Sequence, residues 1–92
     1  MDRYYEFKGS FAVVFTAVKN GLQIHTADSR KVLILDRRQI TELVSCLEES
    51  DGWDVFSRHI SLEYTGRMVL INKKLFIPCD MIEVVKQRLK ET

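Results

Sequence analysis

The sequence predicts an α+β fold built from two antiparallel β-meanders, each closed by a helix, in the order ββββα-βββα. Three observations predict it. Apolar residues alternate at period two and then recur at helical spacing, and this succession occurs twice. Turn signals rich in Gly, Asn and Asp separate the alternating stretches. Strands that come in groups before each helix exclude a parallel doubly wound sheet, where strands and helices alternate singly. The 92 residues make one domain, 1–92, whose halves meet at about residue 50. With 46% hydrophobic and 29% charged residues, the chain is composed as a folded globule and not as a disordered segment.

In the first half, residues 4–7 add a strand at the front. Phe11–Val18 is rich in Val and Phe, which favour a pleated, largely buried strand. Asn20-Gly21 follows, and both residues tolerate the positive φ that a two-residue hairpin turn requires. Leu22, Ile24 and Thr26 then alternate with Gln23, His25 and Ala27. Asp28-Ser29-Arg30 makes a second turn and residues 31–35 another strand. Asp36 with Gln39 three positions on is a capping-box signature. Ile40, Leu43, Val44 and Leu47 fall on one helical face, and Gly52 is a stop, so a helix spans about residues 37–50.

The second half repeats the succession. Ile60, Leu62 and Tyr64 alternate with Ser61, Glu63 and Thr65, Gly66 turns the chain, and Met68–Ile71 forms the next strand. Asn72-Lys73-Lys74 turns again, and residues 75–77 form a third strand. Asp80-Met81-Ile82-Glu83 reads as another capping box, opening a helix that buries Ile82, Val85 and Leu89 with Met81 at the edge. Residues 31–49 align without gaps on 73–91, so that Ile40, Leu43, Leu47 and Glu49 meet Ile82, Val85, Leu89 and Glu91. Both helices are expected on one side of a joined sheet, which leaves its other face open to water or to a partner.

Charge and cysteine content narrow the function classes. Fourteen Lys and Arg against thirteen Asp and Glu give a net charge of +1. A dedicated duplex-DNA binder is usually far more basic, because phosphate neutralisation supplies most of its non-specific affinity. Near-neutrality also leaves little long-range repulsion between copies. The two cysteines, Cys46 and Cys79, lack metal spacing and are too few for a secreted disulfide scaffold. The start lacks an apolar signal-peptide segment, and the longest mostly apolar run, Phe11–Val18, is too short to cross a bilayer. The expectation is a protein of the cytoplasm or an organelle interior, neither secreted nor in a membrane.

No residue pattern identifies catalysis, a metal site or a cofactor site. His25 and His59 have no Ser or Cys nucleophile at a suggestive spacing and read as surface or edge histidines. Cys79 follows Pro78 near a helix start, where the dipole can lower a thiol pKa, but no basic residue adjoins it. Cys46 lies beside the buried helix face and reads as a small core filler. Glu42, Glu48 and Glu49 form a solvated helix face first. Glu48 and Glu49 sit at a helix C-terminus while Lys86, Arg88 and Lys90 make the second helix basic, so the two helices could pair within the domain or between subunits. The chain is expected to be non-enzymatic.

Basic pairs sit at turns: Arg30-Lys31, Arg37-Arg38 and Lys73-Lys74. Such residues guard sheet edges, and they also contact phosphates. Most of the nine aromatic residues are expected in the core. Tyr4, Tyr5 and Phe11, however, flank the Lys8-Gly9 turn, and rings interleaved with positive charge on an open sheet are what single-strand binders use.

Three patches carry a resemblance. Tyr4-Tyr5-Glu6-Phe7-Lys8-Gly9, the stretch 31–47 with Ile40-Thr41-Glu42-Leu43-Val44-Ser45, and Phe76-Ile77-Pro78 leading into Asp80-Met81-Ile82-Glu83 resemble segments of the Whirly family of single-stranded-DNA-binding proteins and their coactivator-type and mitochondrial RNA-binding relatives. The patches touch about half the chain in the family's order. The resemblance implies ssDNA or RNA bound along sheet edges, Lys8 on phosphate, and homo-oligomerisation. Residue types and resemblance together nominate Tyr5, Lys8, Phe11, Arg30, Lys31, Arg67, Lys73 and Lys74 for nucleic-acid binding. The alternative is a small regulatory or inhibitory protein-interaction module, for which the near-neutral charge, the acidic helix and the Trp53–Phe56 loop speak.

Overall fold

The computed structural model describes residues 3–9, 11–27 and 30–92, apart from the side chains of Phe7 and Lys8. Part of the expected Asp28-Ser29-Arg30 turn lies outside the described residues. The fold is α+β, with two antiparallel four-stranded sheets, each followed by a helix. In the first half, β1 (Arg3–Lys8), β2 (Phe11–Val18), β3 (Gly21–Thr26) and β4 (Val32–Asp36) pair in chain order, and α1 (Arg37–Glu49) closes the half. In the second, β5 (Val55–Phe56), β6 (Ser61–Thr65), β7 (Met68–Ile71) and β8 (Leu75–Pro78) pair likewise. A 3-10 turn, Cys79–Met81, then leads into α2 (Ile82–Lys90).

Several expectations need correction. The second half has four strands, because Val55–Phe56 pairs with Leu62 and Ser61. The strands form two sheets instead of one joined sheet, with no main-chain ladder between them among the described residues. Asp80 does not cap α2. It lies inside the 3-10 turn, and the residue at the N-cap, Met81, offers no side-chain hydrogen bond. That turn also rotates the helix face, so Met81 is fully buried while Ile82 is only partly so.

Local chemistry explains the first helix. The Asp36 carboxylate accepts from the Gln39 N–H at 2.9 Å, and the Gln39 side chain accepts from the Asp36 N–H at 2.9 Å. Two of the helix's orphan donors are thereby satisfied. The β2–β3 turn is Lys19-Asn20, one residue before the expected Asn20-Gly21: Asn20 takes φ 63°, while Gly21 already pairs with Val18 in the ladder. Gly21 opens β3 where a Cβ would stand 2.1 Å from the Leu35 carbonyl oxygen, so the β3–β4 pairing there admits no side chain.

One hydrophobic core serves both halves. Val13, Phe15, Leu22, Ile24, Leu33 and Leu35 from the first sheet meet Leu62, Val69, Ile71, Leu75 and Ile77 from the second, with Leu43, Leu47, Met81, Val85 and Leu89 from the helices. Cys46 is buried among them, as its place beside the helix face predicts. The register fixes which residues face away. In the first sheet Tyr5 lies opposite Val14, Val14 opposite His25, and His25 opposite Val32, on the face turned from the core. The helices do pair within the domain: Lys90 Nζ lies 3.1 Å from Glu48 Oε2.

Candidate functional site

The residues that could carry function separate into a cleft and its surroundings. The cleft, about 630 Å³, is lined by Phe11, Thr26, Arg30, Lys31, Met68, Lys74 and Phe76. It lies where the start of β2, the end of β3 and the approach to β4 come against β7, β8 and the turn between them. Each side chain has a local cause. Phe11 lies on the core side of β2 and packs partly against the core, which leaves the rest of the ring to the cleft. Lys74 closes the β7–β8 turn, where Asn72 and Lys73 take φ 52° and 57° and the Lys74 N–H donates to the Ile71 carbonyl at 3.0 Å. Phe76 points outward because Leu75 and Ile77 on either side point inward, and it is 46% exposed.

Among the described residues the charge of this cleft is one-signed: its lining holds two arginine or lysine side chains from the first half and one from the second, and no carboxylate. Arg30 and Lys74 form no ion pair among the described residues. Three cations beside two rings and a methionine make a positive, partly apolar trough, which suits an anionic ligand with flat apolar faces.

Four of the eight nominated residues, Phe11, Arg30, Lys31 and Lys74, therefore come together. The other four stand elsewhere. Tyr5 lies on the outer face of the first sheet, opposite Val14. Lys8 pairs through its main chain with Phe11 at the mouth of the β1–β2 hairpin, and its side chain lies outside the described residues. Arg67 is exposed in the β6–β7 turn, where its carbonyl accepts from the Cys79 N–H at 2.8 Å. Lys73 is turned to Glu63, with Nζ 3.7 Å from Oε1. Tyr4 is committed as well: the Arg88 guanidinium sits 4.6 Å from its ring centroid while bonding Glu6 at 2.7 Å. The Glu6 carboxylate beside Arg88 raises that guanidinium's pKa further.

Phe76, Met68 and Thr26 join the cleft without having been nominated for binding in sequence. The period-two pattern of residues 75–77 could have found Phe76, since a ring between two inward aliphatic residues must face outward.

Elsewhere the titratable groups serve structure. Glu42 on α1 accepts from the Ser57 hydroxyl and from the His59 N–H at 2.7 Å, and these bonds hold its carboxyl below the ordinary carboxylate value. Burial, and then the neighbouring Asp80, push the Cys79 thiol up, which opposes the helix-dipole effect considered for it. The hollow that Cys79 lines contains neither histidine. No group of three or more His, Cys, Asp or Glu that could hold a metal occurs among the described residues. Among them, too, no helix is long and apolar enough to cross a membrane. The chain matches no family model, no curated protein and no solved structure.

Proposed function

We propose that the protein is a non-enzymatic module that binds single-stranded nucleic acid in the cleft between its halves. One observation carries this reading: Arg30, Lys31 and Lys74 gather with Phe11 and Phe76 around a trough whose lining, among the described residues, has no carboxylate. Bases would stack on Phe76 and on the open part of Phe11, while phosphates follow the three cations. A duplex offers no free base faces to such rings, so the trough favours single strands. The likeness to the Whirly family, in three patches and in the order of elements, supports the same class of ligand. It also suggests self-association.

The test is fluorescence polarisation of a labelled single-stranded oligonucleotide at two salt concentrations, with the matching duplex as control. The expected result is binding that weakens with salt at a log–log slope of roughly −0.7 per phosphate contact. Absence of binding at low salt ends the proposal. DNA and RNA of the same sequence, run side by side, identify the preferred strand.

A second reading has its own observation. Trp53 is 61% and Phe56 68% exposed. Exposed large aromatics of this kind anchor protein interfaces. A regulatory or inhibitory protein-interaction module would capture its partner in the presence of nuclease and high salt, and Trp53→Ala with Phe56→Ala would abolish capture.

A further inference from the structure

A pair of cations stands at each end of strand β4, Arg30-Lys31 before it and Arg37-Arg38 after it, and the strand between them is the edge of its sheet. A sheet edge is a template for pairing unless it is guarded. The other three edges are guarded: β1 contains Arg3, Glu6 and Lys8, β5 is two residues long, and β8 ends in Pro78, which has no N–H to offer. Hydrogen bonding shows which groups of β4 face outward. The Asp36 N–H donates to the Gln39 side chain and not to β3, so Asp36 belongs to a non-hydrogen-bonded pair of the ladder. By alternation Ile34 and Val32 do too, and the N–H and C=O of both point away from β3. Among the described residues neither makes a main-chain hydrogen bond outside the sheet. Ile34, at the middle of the edge, is 64% exposed.

We propose that β4 receives an extended segment of another protein, apolar at its centre and acidic at both ends, which joins the first sheet as a fifth strand. Charge selects this occupant. Arg30, Arg37 and Arg38 form no ion pair among the described residues, and the one carboxylate of the strand, Asp36, is engaged in capping α1. A second copy paired antiparallel here would set Arg30-Lys31 of one strand against Arg37-Arg38 of the other, and like charges facing across a ladder oppose pairing. A segment with Asp or Glu at both ends meets opposite charge whichever way it runs. The main chain selects a polypeptide over a nucleic acid. Val32 and Ile34 present two N–H donors and two C=O acceptors along an extended edge, which is the pattern a strand backbone completes. An apolar residue at the centre of the added strand would cover Ile34, which lies opposite Gln23 on the outer face. This inference rests on neither reading above, since it uses no ring of the cleft and neither Trp53 nor Phe56.

The probe is a labelled synthetic peptide of about six alternating Val and Thr residues with Glu at both ends. Fluorescence polarisation reads its binding to the full chain, and hydrogen exchange reads where it sits. The expected result is binding that weakens with salt, with the Val32 and Ile34 amides gaining protection while those of β1 do not. The same peptide N-methylated at its central amides keeps its charge but cannot complete the ladder, and should bind about tenfold or more weakly. Lys in place of Glu should weaken it similarly. Arg38→Glu, at an exposed position in the first turn of α1 where a carboxylate suits the helix, should weaken the Glu-ended peptide by about tenfold, and Arg67→Glu should not. Absence of binding at low salt overturns the proposal, as does equal binding of the N-methylated peptide, which would leave charge alone holding it. Protection of the same amides in concentrated protein without peptide would give the edge to a second copy, and protection by a single-stranded oligonucleotide would give it to nucleic acid. Either result overturns the proposal too.

Discussion

The two halves share an order of elements and reach it by different means. In the first, strands of six, eight, six and five residues form long ladders, and a thirteen-residue helix starts on a reciprocal cap. In the second, strands of two, five, four and four residues form short ladders, and a nine-residue helix starts from a 3-10 turn with no side-chain cap. Side chains make up the difference. Asn72 accepts from the Ser61 N–H at 2.8 Å and donates to the His59 carbonyl at 3.2 Å. Asp54 accepts from the Tyr64 N–H at 2.8 Å, the Ser50 and Tyr64 hydroxyls bond one another, and Glu42 holds Ser57 and His59 from α1. The first half is specified by main-chain pairing and periodicity. The second is bracketed by polar side chains, some of which belong to the first. The comparison teaches that an architecture repeated within one chain need not repeat its energetics.

That contrast makes quantitative predictions. The largest effect is expected at Gly21→Ala, where the new Cβ meets the Leu35 carbonyl oxygen at 2.1 Å and the β3–β4 ladder must move, at a cost of about 3 kcal/mol by overpacking. Gly66→Ala in the second half meets nothing within 4 Å and costs only the strain of φ +61°, about 1 kcal/mol. Equal losses for the two in denaturant melts would break the comparison. Next comes Asn72→Ala, which leaves the Ser61 N–H and the His59 carbonyl without their partner and should cost about 2 kcal/mol. Asp36→Ala removes the α1 cap and should cost about 1 kcal/mol.

The smallest effect is a pH dependence. Folding holds the Glu42 carboxyl below its ordinary value through the Ser57 hydroxyl and the His59 N–H. A depressed carboxylate contributes stability that is fully present above its unfolded-state value and is lost as pH falls through its folded-state value. Wild type should therefore lose more stability than Glu42→Gln on acidification through that window. Urea midpoints at a series of pH values measure the difference, and parallel curves would remove Glu42 from the bracket.

Much of the fold was legible because the first half obeys local rules. The Val-rich run of β2, the alternation of β3 and the Asp36–Gln39 box each identify an element from a few adjacent residues. Strand β5 was not legible in this way. Val55 and Phe56 show no alternation of their own, and their place is set by partners distant in sequence: the β6 ladder, the Tyr64 N–H that bonds the adjacent Asp54, and Glu42, which holds Ser57 and His59 just beyond them. Asp80 misled for a related reason: its spacing suits a cap, but the 3-10 turn displaces the helix start past it. The cleft was half legible. Residue type nominated Phe11, Arg30, Lys31 and Lys74, yet only the contact of β2 and β3 with β7 and β8 brings them together and excludes Arg67 and Lys73. Sequence order carries no record of that juxtaposition.

The salt dependence of oligonucleotide binding, measured for wild type, Lys74→Ala and Arg67→Ala, tests the central claim most directly. Lys74 lines the cleft and Arg67 does not. Removing one phosphate contact should make the log–log slope shallower by roughly 0.7. The account predicts that change for Lys74→Ala and none for Arg67→Ala. Equal slopes in all three proteins, or a change at Arg67 alone, would contradict it.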